Sequence, residues 1–280
     1  RNVFDLLERL EFSPSDIENH SKALPKYHAL YLNALGIISK DKSFIDYIES
    51  VKRTEPDIPE NLRGVLRSYQ TEGVKWLKQL SSLGFGGILA DDMGLGKTLQ
   101  VLAFIESEKP EAPVLIVAPS ALTYNWYSEC SRFTPSLKAL IPDGTRSERE
   151  ALIETAGEYD IIITSYPLLR RDIALYRQHR FSYCFIDEAQ YIKNPKTMNA
   201  RSVKRINAEH RFAITGTPIE NSLSELWSIF DFIMSGYLYD LHMFRTVYET
   251  PITKDGDAAA AADFRAKIKP FILRRMKSEV

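Results

Sequence analysis

The chain reads as an α/β protein in which a parallel sheet is wrapped on both faces by helices. Three observations carry that reading. From Leu62 onward, short apolar runs rich in β-branched residues alternate with helix-like stretches, the pattern of β–α units rather than of hairpins. One of these runs enters a glycine-bearing loop that opens directly into a helix-like segment. The 280 residues, 44% of them hydrophobic, suffice for one large domain with an appendage.

Residues 1–55 carry apolar side chains at helical spacing, in Phe4-Asp5-Leu6-Leu7-Glu8-Arg9-Leu10 and again through Tyr27, Leu30, Tyr31, Leu32, Ala34 and Leu35. Pro56 and Pro59 mark a linker. The expected division is a helical N-terminal segment over 1–58 and a larger lobe over 59–280. Strands are expected at Gly86–Ala90, Val114–Ala118, Leu137–Ile141, Asp160–Thr164, Tyr183–Asp187 and Arg211–Thr215. Between Leu223 and Ala262 the alternation stops. Leu226, Trp227, Ile229, Phe230, Phe232 and Ile233 predict a dense helix, followed by Tyr237, Tyr239, Phe244 and Tyr248. Asp255-Gly256-Asp257 before five alanines predicts a turn into a further helix. A helical insertion over about 222–265 follows, either packed on the lobe or offered to a partner.

Charge is uninformative in total and uneven in distribution. The net charge is -1. Residues 1–61 hold 8 Lys/Arg against 11 Asp/Glu, and residues 62–280 hold 28 against 26. That is not the footprint of a strongly basic nucleic-acid binder, so any such groove must be local. No apolar run is long enough to span a bilayer, Arg1 does not begin a signal peptide, and the missing initiator Met suggests a fragment. Cys130 and Cys184 read as reduced thiols, and the five histidines lack ligand spacing.

The candidate chemistry sits where strands are expected to end. In Asp91-Asp92-Met93-Gly94-Leu95-Gly96-Lys97-Thr98, loop amides at a helix start suit nucleotide phosphates. Lys97 would reach the outer phosphates and Thr98 would take one position on Mg²⁺. Asp91 stands where the simple pattern has glycine, and an ordinary glycine turn before a helix would look the same by itself. In Cys184-Phe185-Ile186-Asp187-Glu188-Ala189-Gln190 an apolar run ends in two carboxylates. Asp187 suits Mg²⁺, which takes one or two protein carboxylates. Side-chain alternation along an extended chain would leave Glu188 free to orient and deprotonate a water. Thr215-Gly216-Thr217 places two hydroxyls at another strand end, for a carboxylate or phosphate-bound water, or as a simple turn.

Taken in order, these motifs resemble the first RecA-like lobe of helicase superfamily 2, specifically the Swi/Snf-type DNA translocases, over roughly residues 62–280. Leu66-Arg67-Ser68-Tyr69-Gln70 resembles that family's opening motif, which implies that Arg67 and Gln70 lie on the adenine side. Asp92, Gly94, Leu95, Gly96, Lys97 and Thr98 match its phosphate loop, with Asp92 where Glu is usual. Asp187-Glu188-Ala189-Gln190 is similar to its second motif, which more often ends in His. Tyr191-Ile192-Lys193-Asn194 is like the Swi/Snf branch, and Gln190 with Ile192-Lys193-Asn194-Pro195 resembles bacterial members. Thr215-Gly216-Thr217-Pro218-Ile219-Glu220-Asn221, Leu226-Trp227 and Phe271-Ile272-Leu273-Arg274-Arg275 also fit.

The resemblance implies a P-loop NTPase fold with ATP as substrate and Mg²⁺ as cofactor. Lys97, Asp187 and Glu188 would be the catalytic residues, with Gln190 and Thr217 among the nucleotide-side groups. It further implies that Pro119-Ser120 and Thr164-Ser165-Tyr166, with Lys193 and Asn194, touch the backbone of double-stranded DNA without reading sequence. Helix capping is the alternative role for Ser120 and Ser165. In the family a second RecA-like lobe supplies arginines to the transferring phosphate, and nothing after Phe271 leaves room for it. The expected function is therefore the ATP-binding lobe of a motor that remodels protein–DNA complexes, at the nucleoid or in a nucleus. An unwinding helicase of another superfamily 2 branch and a non-catalytic partner-binding module stay open.

Overall fold

The computed structural model describes residues 13, 49, 51, 55–216 and 222–280. Nearly all of the segment expected over 1–58, and Thr217 with the tract 218–221, lie outside the described residues. Lys40–Val280 forms one compact unit.

Seven parallel strands form one sheet: β1 (Gly87–Leu89), β2 (Val114–Ala118), β3 (Ala139–Leu140), β4 (Ile161–Ser165), β5 (Phe181–Ile186), β6 (Ala208–Ile214) and β7 (Ile272–Leu273). Their spatial order is β3-β4-β2-β5-β6-β1-β7. The register aligns Ile88 with Ala213, Ile116 with Ile163 and Phe185, and Phe185 with Phe212. β1, β2 and β4 are buried at every position, as strands covered on both faces must be. The expected third strand contracts to two residues at the sheet edge. The two-residue β7, paired to β1, was not anticipated, because two residues carry no periodicity.

The helices described are α1 (Ser68–Ser82), α2 (Lys97–Glu108), α3 (Thr123–Phe133), α4 (Arg146–Glu154), α5 (Tyr166–Tyr176), α6 (Met198–Val203), α7 (Leu223–Ile233), α8 (Leu241–Phe244), α9 (Thr250–Thr253) and α10 (Ala258–Ile268). Phe104 of α2 meets Tyr183, Phe185 and Phe212 edge-on, with ring centroids 5.1 to 6.1 Å apart. This cluster fastens the helix that follows the glycine loop to β5 and β6. Each such ring contributes about 1.5–3 kcal/mol through burial.

In the insertion, Ser222 accepts from the Glu225 amide at 3.2 Å and caps α7, whose apolar residues pack on β6. Tyr237, Tyr239, Phe244 and Tyr248 are all buried. The Lys267 ammonium lies 4.3 Å from the Tyr239 ring centre and 5.4 Å from that of Tyr237. The aromatic content is thus interior packing rather than a surface offered outward.

Strand order decides what meets at the carboxyl edge of the sheet. Across it, the junction of β4 with α5 (165–166) and the segments after β2 (119–120), β5 (187–188), β6 (215–216), β1 (90–96) and β7 (274–277) lie side by side. Motifs far apart in sequence thereby become neighbours.

Candidate nucleotide site

The loop between β1 and α2 holds its shape through two left-handed glycines and a buried amide beneath it. Gly96 has φ 69° and caps α2. A Cβ there would collide with Nε2 of Gln70. Gln70 is buried; its Nε2 donates to the Leu95 carbonyl at 3.2 Å and its Oε1 accepts from the Arg67 amide at 2.9 Å. Both ends of the amide are thus engaged within the protein. Gln70 ties the start of α1 to the loop and keeps one N–H and one acceptor lone pair beyond these bonds, while Arg67 is exposed.

Lys97 turns back into its own loop, donating to the carbonyls of Asp91 at 2.6 Å and Asp92 at 3.1 Å. Burial lowers its pKa, opposed by the negative charges of Asp91, Asp187, Glu188 and Asp92. A half-buried ammonium amid carboxylates is a donor set suited to a phosphate carrying a divalent ion. Thr98, half-buried, is the second residue of α2.

Asp91, the departure from the simple glycine pattern, is fully buried and has a structural task. Its carboxylate takes two hydrogen bonds from Arg275, one of them Nε to Oδ1 at 2.9 Å, and one from Gln100 Nε2 at 3.2 Å. Arg275 also donates to Gln100 Oε1 at 2.8 Å and to the Tyr69 carbonyl. Gly73 leaves room for this cluster, since a Cβ there would run into Gln100. The segment after β7 is zipped to the loop as well: Asp92 N donates to Arg275 O at 3.0 Å, and Lys277 N donates to Asp92 Oδ2 at 3.1 Å.

Asp187 stands one residue past β5, and its amide donates to Val117 O at 2.8 Å. Its carboxylate accepts from the Glu188 amide at 2.8 Å and from the Trp126 indole at 2.9 Å. Burial raises its pKa, and these two hydrogen bonds oppose the rise. Glu188 is not in extended chain. Its φ of 51° and ψ of 62° are left-handed, so strand alternation does not govern its side chain. Gln190 Nε2 donates to Glu188 Oε2 at 2.7 Å, and Thr215 Oγ1 reaches Gln190 Oε1 at 3.5 Å. Thr215, Gln190 and Glu188 thus form one hydrogen-bonded chain. Gly216 lies against the Met93 and Lys97 side chains.

The two loops beyond β2 and β4 behave differently from each other. Ser120 is exposed and Pro119 is half-exposed, so both can meet a surface ligand. Thr164, Ser165 and Tyr166 are buried. Ser165 Oγ accepts from the Leu168 amide at 3.4 Å and caps α5, and Tyr166 donates to the Asp187 carbonyl at 2.7 Å. All three side chains are thus enclosed by packing or by capping in this lobe. Lys193 is exposed and paired with Glu225 at 3.1 Å, and the Asn194 side chain accepts from the Lys196 amide at 2.9 Å.

A family model described as the SNF2-related domain matches residues 69–280. The chain belongs to the SNF2-related family. It is 36% identical over 268 residues to the Saccharomyces cerevisiae TATA-binding protein-associated factor MOT1, covering 86% of this chain and 14% of that protein. It is 35% identical over 239 residues to the yeast ISWI chromatin-remodeling complex ATPase ISW1, covering 83% of this chain and 21% of that protein. Among solved structures, the Sulfolobus solfataricus SWI2/SNF2 ATPase core in complex with dsDNA is 41% identical with a TM-score of 0.71, over 80% of this chain and 46% of that one. This SNF2-related domain thus spans a small part of the curated relatives it matches. The sequence around Trp126 and Arg275 carries no local sign of their contacts with Asp187 and Asp91. The one available signal was Asp91 itself, a carboxylate at a loop start that a buried cation must balance.

Proposed function

We propose that this lobe binds ATP with Mg²⁺ and forms the first half of a DNA-dependent ATPase that moves along duplex DNA and displaces what is bound to it. One observation carries the reading: the Lys97 loop, the Asp187-Glu188 pair and Thr215-Gly216 follow β1, β5 and β6, three adjacent parallel strands. Ligands of such sheets bind at that edge. Lys97 and the loop amides hold the phosphates, and Thr98 and Asp187 hold the metal ion. Bound Mg²⁺ supplies charge neutralisation for the phosphate oxygens. Glu188, steadied by Gln190, orients the attacking water and takes its proton. The remaining cations for the transition state belong to a second RecA-like lobe of a longer parent chain. No helix among the described residues is long and apolar enough to cross a membrane, and the proposed site of action is DNA, in nucleoid or nucleus.

Lys97→Ala is expected to lower Mg²⁺-ADP affinity at least tenfold, since a charge-assisted phosphate contact is worth about 1.5–3 kcal/mol. Calorimetry giving equal affinities for wild type and variant would refute the phosphate-loop assignment.

On the loop after β2, Ser120 offers an exposed hydroxyl to DNA. In the full motor, Ser120→Ala is expected to weaken duplex binding about fivefold, the loss of one hydrogen bond, without moving the melting temperature. Ser165→Ala is expected to do the reverse, costing about 1 kcal/mol of stability as a lost cap. Salt titrations and melting curves on both variants distinguish these outcomes. A Ser120→Ala variant with wild-type DNA affinity would remove Ser120 from the interface.

A further inference from the structure

Asp187 is gripped from two directions by aromatic side chains that the proposed chemistry does not use. Trp126 of α3 is 1% exposed, and its indole N–H donates to Asp187 Oδ2 at 2.9 Å. Tyr166, at the start of α5, is also 1% exposed and donates to the Asp187 carbonyl oxygen at 2.7 Å. The Tyr166 ring stacks on Tyr191, with centroids 5.1 Å apart and planes at 6°. The other carboxylate oxygen, Oδ1, accepts from the Glu188 amide. Both carboxylate oxygens and the main-chain oxygen of Asp187 are thus each held by a donor.

An indole is a donor only, so it cannot compete with the carboxylate for a cation, and its rigid ring leaves the N–H few alternative directions. It fixes carboxylate rotation while keeping unshared electron pairs on both oxygens. Partners of this kind, one step outside a metal's own ligands, set ligand orientation, and their loss costs about 10–100-fold in metal affinity or activity. We propose that Trp126 is a positioning residue for Asp187, presetting the carboxylate for Mg²⁺, with Tyr166 fixing the main chain beneath it. The inference rests on the reading of Asp187 as the metal-side residue. α3 begins three residues after Ser120, so the element that presets the carboxylate also carries the exposed loop proposed to meet DNA.

The test is a Mg²⁺ titration of ADP binding by the 280-residue chain and its Trp126→Phe variant, followed by calorimetry. Phenylalanine keeps an aromatic ring in the site and removes the N–H. The Mg²⁺ concentration for half-maximal enhancement of ADP binding is expected to rise at least tenfold, while affinity for metal-free ADP stays within twofold. An unchanged Mg²⁺ requirement in the variant would overturn the proposal and leave Trp126 as packing. Wild type lacking any Mg²⁺ dependence would instead defeat the underlying reading of Asp187. Should the variant not fold, the wild-type chain still decides the matter. With three tryptophans, the indole N–H resonances are few, and that of Trp126 is expected to shift when Mg²⁺ joins the ADP complex. No shift at the Trp126 resonance would overturn the proposal.

Discussion

Replacing Asp91 by the glycine that a simple phosphate-loop pattern calls for is expected to unfold this protein at markedly lower temperature. Asp91 is fully buried and Arg275 nearly so, with two hydrogen bonds between them and a third from Gln100 to the same carboxylate. Asp91→Gly would strand a buried guanidinium with the Gln100 and Tyr69 carbonyl oxygens as its remaining partners. Breaking one side of a buried ion pair costs about 3–5 kcal/mol. At about 2–4 °C per kcal/mol for a domain of this size, the melting temperature should fall by roughly 6–20 °C. Arg275→Ala should cost a similar amount, and the double variant should lose clearly less than the sum, because the two residues act as one unit. Nucleotide affinity should fall with either single change, since Asp92, next in the loop, is hydrogen-bonded to the main chain of 275–277. Additive melting shifts in the double-mutant cycle would show that the pair is not coupled.

Glu188→Gln is expected to lower DNA-stimulated ATP hydrolysis by about 10²–10⁴ in the full motor, the range for loss of a positioned base. Nucleotide binding should stay near wild type. The substitution keeps the side-chain shape, an amide oxygen at 188 can still accept from Gln190 Nε2, and Asp187, proposed to hold the metal, is untouched. The left-handed turn at position 188 is carried by the main chain and its flanking bonds, so it should persist. Steady-state hydrolysis with saturating duplex, beside calorimetry on the same preparation, reads both quantities. Residual activity above a tenth of wild type would require another residue as the base. Loss of binding together with hydrolysis would mean that Glu188 acts on the nucleotide rather than on the water.

The sequence by itself determined the sheet, the order of its motifs and which strand end each would occupy. Alternating apolar runs of β-branched residues have few other ways to be buried, and a glycine loop between strand and helix has a local geometry of its own. It also indicated that Lys97, Thr98, Asp187 and Glu188 lie along one edge of the sheet, because their spacing follows β–α units whose strand ends share that edge. What needed the tertiary structure were contacts between residues far apart in the chain. Strand order alone puts β5, β6 and β1 side by side, and nothing local at Trp126 or Arg275 announces a partner 61 or 184 residues away. The inward burial of Thr164, Ser165 and Tyr166 was decided there too. A hydroxyl ahead of a helix is chemically suited both to a phosphate and to its own helix amides, and only packing determines which of the two it can reach.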